Sequence, residues 1–206
     1  MTTNFNSIYN LGYLSSKLPH ELFIKLKEET QRMADNNFKG CTPYGNNLAG
    51  VIQHEYTLDN HTTELLQFIN EIIPSYFANW PDEFSQPYPR VKYVKNEKAI
   101  WVNFQKKYEY NPIHFHQGVW SFVLWVNIPY DAEEEDRQRK TGTRFTFHYP
   151  DMLLGGLGAH PIKVDKTFEG RIIIFPALLH HSVTPFYTSD GYRVSISGNL
   201  MLANNG

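Results

Sequence analysis

Cysteine is nearly absent from the chain, since Cys41 is the only one among 206 residues. A single thiol excludes a disulfide within the chain and a metal cluster held by several cysteines. It also agrees with a reducing compartment, where structural disulfides are rare. We therefore expect a cytoplasmic protein.

An excess of charge of one sign is absent too. The 19 Lys and Arg residues nearly balance the 21 Asp and Glu residues, which gives a formal net charge of -2. This leaves no basic stripe of the kind that nucleic-acid binding needs. No stretch approaches the ~20 apolar residues of a membrane span, and the N-terminus lacks the basic and apolar regions of a signal peptide. The expected partner is a small molecule or a protein side chain, with no nucleic acid and no membrane.

Apolar and aromatic residues are plentiful. With 41% hydrophobic and 15% aromatic content, a chain of this length can bury one sizeable hydrophobic core but is too short to form two stable cores. We expect a single domain over residues 1–206. Within it, residues 1–80 should be mainly helical support and residues 81–206 the core.

Two amphipathic helices are expected in the first 80 residues. One runs from Lys17 to about Asn36, where apolar residues recur at near-helical spacing and Ser15 or Ser16 is available as the cap. The other begins near Asp59 and is bent or ended by Pro74. Both should pack on the outside of a sheet.

Short aromatic and β-branched runs follow, separated by Pro, Gly and charged turns, and each predicts a strand. The runs are Ala99–Phe104, Trp120–Ile128, Thr143–His148, Arg171–Phe175 and Tyr192–Leu200. Two helices followed by many short strands favour an α+β domain with a jelly-roll core. The charge-rich run 131–140 is expected to be an exposed loop, and the glycines of 155–158 a flexible loop rather than a phosphate cradle.

Three histidines carry the clearest functional signal. His114 and His116 stand two positions apart, so on an extended strand they share a face and can bind one metal ion together. His180 and His181 are neighbours far downstream, and only one of them can readily join the pair. Neutral imidazole is a common ligand for divalent iron, and three ligands on one face leave three positions for substrate-derived groups and oxygen.

Several motifs occur in a recognisable order between Trp101 and Leu200: His-x-His-x-Gly, then Phe-Pro, then His-Ser-Val-Thr-Pro, then Arg-Val-Ser-Ile-Ser. This order resembles the 2-oxoglutarate and Fe(II)-dependent oxygenases common among phage-encoded proteins. The resemblance implies a double-stranded β-helix (jelly roll) in which His114, His116 and His181 bind iron and Arg193 holds the remote carboxylate of 2-oxoglutarate. It also implies hydroxylation of a substrate with release of succinate and carbon dioxide.

Side chains near Arg193 complete the expected cosubstrate site. A guanidinium stays protonated, and its planar fork fits a carboxylate in two places, which suits Arg193 to the anchoring role. Ser195 shares its strand face and adds a hydroxyl. Asn103, Tyr108 and Trp125 are further candidates for the wall of this pocket.

The ligand set departs from that of most members of the wider superfamily, which have Asp or Glu at the position of His116. Three neutral imidazoles leave a ferrous centre at about +2 instead of about +1. The spacing of Asp131, Asp151 and Asp165 supports none of them as a replacement ligand. Three alternatives stay open: a halogenase-like frame in which Gly118 leaves room for chloride, a cupin-like three-histidine enzyme without 2-oxoglutarate, and a non-catalytic jelly-roll binding module.

Overall fold

Two antiparallel sheets form the centre of the computed structural model, which describes residues 12–45, 48–78, 90–93 and 100–203. In chain order the strands are β1 (Leu14–Lys17), β2 (Glu55–Thr57), β3 (Val91–Tyr93), β4 (Ile100–Gln105), β5 (Asn111–His114), β6 (Trp120–Asn127), β7 (Arg144–Pro150), β8 (Leu157–Lys163), β9 (Arg171–Pro176), β10 (His180–Val183) and β11 (Arg193–Leu202). The helices are α1 (His20–Asp35), α2 (Thr62–Ile72), α3 (Pro74–Phe77) and α4 (Ala132–Gln138), and a 3-10 turn spans Lys166–Phe168.

The chain passes back and forth between the two sheets. The larger sheet has the order β1-β9-β6-β11-β4-β2, with β3 paired to the end of β11, and the smaller sheet has the order β5-β10-β7-β8. From β4 onward, consecutive strands change sheet at every step except between β7 and β8. Two facing antiparallel sheets built this way form a jelly roll. The predicted α+β double-stranded β-helix is confirmed.

Helices α1 and α2 cover the outer face of the larger sheet, as expected. Leu22 and Leu26 of α1 and Leu65 and Ile69 of α2 are buried in one cluster with outward-facing strand residues. These pairs are four residues apart and so lie on one side of each helix. A second apolar cluster lies between the sheets. None of the described helices is long and apolar enough to cross a membrane.

The N-terminal part differs from the prediction in its details. Helix α1 begins at His20, while Ser15 and Ser16 lie in β1 and Pro19 takes the N-cap position. Strand β1 pairs with β9, and β2 pairs with β4. Strands of three or four residues are too short to show a period, and their partners are far away in sequence. The N-terminal part, which contains α1 and α2, therefore also supplies the two edge strands of the larger sheet, β1 and β2.

The charge-rich run 131–140 is not a loop, and this prediction was wrong. It contains helix α4, whose N-cap Asp131 accepts two backbone hydrogen bonds from the first turn. Glu135 is fully buried and accepts hydrogen bonds from the backbone of Tyr187 and from both the backbone and the hydroxyl of Thr188. The only buried residue of this short helix is a glutamate, so the sequence shows no apolar period there. The partners that hold the helix are far away in sequence.

The glycine run 155–158 is only partly a loop. Gly155 and Gly156 have positive φ of 67° and 141° and form the turn between β7 and β8. Gly158 lies within β8, where a Cβ atom would come within 2.6 Å of the Tyr149 ring. Here glycine allows close packing of a cross-strand neighbour.

Candidate metal centre

Three imidazole rings meet between the two sheets. His114 at the end of β5 lies opposite His181 of β10, and His116 follows shortly after β5. The ring centroids are 4.3 Å apart for His114 and His181, 4.9 Å for His114 and His116, and 5.0 Å for His116 and His181. One ring nitrogen of each lies within 4.8 Å of the others, and within the described part of the chain no other trio of His, Cys, Asp or Glu is so arranged.

The backbone brings His116 to the cluster by a route that strand alternation does not predict. Strand β5 ends at His114, so His116 is not on a strand. Its backbone N–H instead donates to the carbonyl of Ala177 at 2.9 Å, which fixes this segment against the connection between β9 and β10. Of the adjacent pair, His181 is buried, whereas His180 is exposed and packs on Phe115. The choice of His181 agrees with the geometry.

Backbone carbonyls orient two of the three rings. The Nδ1 atom of His114 lies 2.7 Å from the carbonyl oxygen of Pro112, and Nδ1 of His181 lies 2.9 Å from that of Leu179. A carbonyl oxygen only accepts, so each Nδ1 carries the proton and each Nε2 keeps a lone pair. This is the arrangement in which a histidine is ready to bind a metal ion.

Burial keeps the rings uncharged. It lowers the pKa of His116 to about 3, holds the pKa of His181 well below its usual range and lowers the pKa of His114. The His181 ring is stacked against Phe145, 5.4 Å away between centroids, and contacts the edge of Phe175 at 4.8 Å. At neutral pH the site therefore offers three neutral nitrogen donors, and this donor set fits Fe(II).

The three aspartates considered as alternative ligands are used elsewhere. Asp131 caps α4, Asp151 accepts backbone hydrogen bonds within its own turn, and Asp165 accepts them from Thr167. None of them belongs to the histidine group. His114 does belong to it, so the frame in which His116 comes first and Gly118 is an open halide position finds no support in the geometry.

A polar cavity wall lies beside the rings. On the inner face of the larger sheet, Asn103 donates to the hydroxyls of Ser195 and Ser197 at 3.2 and 3.3 Å and accepts from the Trp101 indole at 3.1 Å. These residues line one cavity together with the three histidines. The face between packed sheets is ordinarily apolar, because burying polar groups costs free energy. A polar wall therefore indicates a site for a polar ligand.

Arg193 lies in the same wall and is 3% exposed. Its guanidinium donates to Gln105 Oε1 at 3.0 and 2.6 Å, to the Tyr130 hydroxyl at 3.2 Å and to the Thr184 carbonyl at 2.7 Å. No Asp or Glu of the described ranges forms an ion pair with it. A buried cation without a counter-charge suits an anionic ligand.

Four of the five residues expected to surround the cosubstrate line this cavity: Arg193, Ser195, Asn103 and Trp125. Tyr108 is not among the described residues that line it; its ring is 62% exposed and packs on Tyr187. Gln105 and Tyr130 were missed. Gln105 follows Asn103 by two positions on one strand, so alternation alone could have indicated it. Nothing in the sequence indicates Tyr130.

Another part of the cavity lining comes from the segment before β2. Leu48, Ala49 and Ile52 line the cavity there, as does Asn111 of β5. The Oδ1 atom of Asn111 is buried and has no hydrogen-bond partner among the described residues, and a Cβ atom at Gly50 would lie 2.0 Å from it. The register of β5 against β10 shifts between His114 and Asn111, which allows both side chains to face inward.

Comparison with known proteins agrees with this geometry. Residues 99–199 match the family described as "Putative 2OG-Fe(II) oxygenase". No curated protein matches the sequence. Similar solved structures include a prolyl-4-hydroxylase from Pseudomonas putida (13% identity, TM-score 0.60, covering 94% of each chain) and a prolyl hydroxylase from Trichoplax adhaerens in complex with a hypoxia inducible factor peptide fragment (11%, 0.53, 93% of this chain and 83% of that one). A third is the alpha-ketoglutarate dependent epimerase SnoN from nogalamycin biosynthesis (13%, 0.57, 94% and 77%).

These structural likenesses establish the fold, and the family match covers the segment that contains all three histidines and Arg193. The donor set and the polar wall fit the two cofactors of that family. The chain belongs to the 2OG-Fe(II) oxygenases, dioxygenases that use Fe(II) and 2-oxoglutarate.

Proposed function

We propose that His114, His116 and His181 hold Fe(II) in this enzyme and that Arg193 binds the remote carboxylate of 2-oxoglutarate. The observation that supports this most is the convergence of three neutral imidazoles, one buried and two partly buried, beside a guanidinium without an acidic partner among the described residues. When bound, the two cofactors supply oxidising chemistry in which oxygen converts 2-oxoglutarate to succinate and carbon dioxide and delivers one oxygen atom to the substrate. Hydroxylation is the proposed outcome.

The protein's own residues position these groups and keep water away. Hydrogen bonds from Nδ1 of His114 and His181 to backbone carbonyls leave the Nε2 lone pair of each ring free to bind a metal ion. Phe145 and Phe175 shield the His181 ring from water. Arg193 supplies the positive charge that attracts the cosubstrate. We assign Asn103, Ser195 and Trp125 to the cosubstrate wall, since they line the same cavity. Tyr108 stays a prediction from the sequence alone.

We place the substrate on the side of the cavity formed by Leu48, Ala49, Ile52 and Asn111. The unpartnered Oδ1 of Asn111 favours a substrate that brings a hydrogen-bond donor. Two of the similar structures are prolyl hydroxylases by name, so prolyl peptides are the first substrates to test, followed by small molecules. The near-neutral charge favours neither nucleic acid nor an anionic membrane surface. The single cysteine favours a cytoplasmic, reducing location, and a phage-type origin remains a prediction of the motif order.

Anaerobic titration tests the cofactor assignment. Adding Fe(II) and then 2-oxoglutarate should produce the weak visible charge-transfer band of their chelate. Iron binding without that band would favour a three-histidine enzyme that does not use 2-oxoglutarate.

A substitution tests the role of Arg193. Arg193→Leu should raise the Kd for 2-oxoglutarate by about 10-fold or more, because a charge-assisted hydrogen bond contributes about 1.5–3 kcal/mol, while iron binding is unchanged. Arg137→Leu, on the exposed side of α4, is the control. Equal losses of iron and cosubstrate in Arg193→Leu would contradict the assignment.

A further inference from the structure

Gln105 occupies the edge of Arg193 that a carboxylate would otherwise take. Its Oε1 accepts from Nε of the guanidinium at 3.0 Å and from Nη2 at 2.6 Å. Two parallel N–H donors on one edge form the fork that normally binds a carboxylate in two places. In this protein a neutral side-chain amide oxygen from the neighbouring strand fills that fork.

The other contacts of Arg193 leave one donor. A guanidinium has five N–H groups. Gln105 takes two, the carbonyl of Thr184 takes the second N–H of Nη2, and the Tyr130 hydroxyl takes one of the two on Nη1. One N–H group of Nη1 therefore has no partner among the described residues. The guanidinium offers its full charge to a ligand but only a single directed hydrogen bond.

Gln105 is itself held in place. It lies directly opposite Arg193 in the register of β4 and β11 and is 3% exposed. Its amide nitrogen donates to the carbonyl oxygen of Glu109. The Glu109 carboxylate in turn accepts from the backbone N–H groups of Lys106 and Gln53. Its amide nitrogen is bonded within this turn and its amide oxygen to the guanidinium, so Gln105 is a fixed support for Arg193.

We propose that Gln105 is a positioning residue for cosubstrate selection. It fixes the guanidinium through the Nε and Nη2 edge, so that the remote carboxylate of the cosubstrate binds end-on through Nη1 instead of in the fork. The neutrality of Gln105 is part of this role, because a carboxylate at position 105 would pair with Arg193 and cancel the charge that attracts the ligand. The inference rests on the proposed function of Arg193 and adds to it the residue that determines how Arg193 is presented.

Two probes separate this role from a general structural one. The first is 2-oxoglutarate, and the second is 2-oxopentanoate, which has the same chain and the same oxo acid group but a methyl in place of the remote carboxylate. Both are titrated anaerobically into Fe(II)-loaded protein, and binding is measured by calorimetry and by the charge-transfer band. The ratio of the two Kd values reports the remote anchor alone, since the iron-binding end is identical in both probes.

Two substitutions of similar size test the residue. In Gln105→Glu, the Kd for 2-oxoglutarate should rise about 100-fold, and in Gln105→Met about 10-fold, as expected for losing or misaligning a charge-assisted contact. The Kd for 2-oxopentanoate should stay within about 2-fold of the wild type in both, so the selectivity ratio falls. Gln31→Glu and Gln31→Met, at an exposed position of α1, are the matched controls and should leave the ratio unchanged.

The possible results are distinguishable. Wild-type protein that binds iron but does not prefer 2-oxoglutarate overturns the role of Arg193 and, with it, this inference. If the wild type prefers 2-oxoglutarate and both Gln105 variants keep the same ratio of Kd values for the two probes, only the role of Gln105 is overturned. Tighter binding of 2-oxoglutarate to Gln105→Met would also overturn it, because it would show that Gln105 competes with the ligand. Thermal unfolding and iron stoichiometry identify a variant that fails to fold, and the second variant then decides the outcome.

Discussion

The three histidines of the candidate metal centre are held as neutral rings by full or partial burial, and this has a consequence for stability. In the unfolded chain a histidine titrates near pH 6.5. In the folded chain burial lowers the pKa of His116 to about 3 and lowers those of His114 and His181 as well. Below pH 6.5 the unfolded state therefore binds more protons than the folded state, and stability falls as pH falls.

We predict that the metal-free protein loses stability between pH 7 and pH 5. His116 contributes on the order of 1.4 kcal/mol of loss per pH unit below 6.5, in a window that extends down to about pH 3. The lowered pKa values of His114 and His181 add to the loss in the same direction. Urea unfolding in the presence of a chelator, at several pH values, measures this. In His116→Gln, where residue 116 cannot titrate, the free energy of unfolding should depend less steeply on pH. His20→Gln, at an exposed position, should leave the pH dependence unchanged. Parallel curves for His116→Gln and wild type would contradict the prediction.

At the scale of single elements, α4 depends on one buried acid. Glu135 is fully buried, and its carboxylate receives hydrogen bonds from Tyr187 and Thr188 in the segment between β10 and β11. This joins the helix to the segment that leads into Arg193. The contact therefore bears on the position of the proposed anchor as well as on α4.

We predict that Glu135→Gln destabilises the protein by about 1.5–3 kcal/mol, because hydrogen bonds to a buried charged group are lost or weakened. Glu134→Gln, at the neighbouring exposed position, should cost less than about 1 kcal/mol. Chemical denaturation of the two variants gives the comparison. Similar losses for both would mean that helix charge, and not the buried contact, stabilises α4.

The segment that covers the substrate side depends on the absence of a side chain at Gly50. A Cβ atom there would lie 2.0 Å from Asn111 Oδ1, which forces either the segment or the asparagine to move. We predict that Gly50→Ala costs about 1–3 kcal/mol, as overpacking usually does. Adding Asn111→Ala should restore most of it, and thermal unfolding of the two single variants and the double variant measures the coupling. If the loss of stability in the double variant equals the sum of the losses in the two single variants, the contact between residue 50 and Asn111 is not the cause of the destabilisation.

At the scale of the whole molecule, a metal ion at the proposed site would join parts of the chain that are distant in sequence. His114 and His116 flank the end of β5, while His181 comes from β10. A ligand that binds only the folded state stabilises it by about 2.7 kcal/mol at 100 times its Kd. One ion can therefore have a marked effect on the global stability of the fold.

We predict that Fe(II) under anaerobic conditions raises the Tm by roughly 5–10 °C over chelator-treated protein, as that free energy implies for a domain of this size. His181→Ala should unfold at a temperature that does not respond to iron. Differential scanning calorimetry of both proteins measures the shift. A response of equal size in His181→Ala would place the bound iron elsewhere.

Local patterns in the sequence determined much of this protein. The aromatic and β-branched runs predicted the five main strands, since alternation and propensity are visible within a few residues, and the apolar spacing predicted both long helices. The types and order of His114, His116 and His181 also predicted that these three imidazole rings meet at one point. These features depend on neighbours along the chain.

Tertiary structure alone decided the rest. Strands β1 and β2, the helix held by Glu135, the bond from His116 to Ala177 and the pairing of Gln105 with Arg193 all join residues far apart in sequence. A long-range pairing leaves no local period, and its free energy exists only once the chain has brought both partners together. The sequence therefore determined which groups are available for the proposed chemistry, and the packed fold decided how they are held.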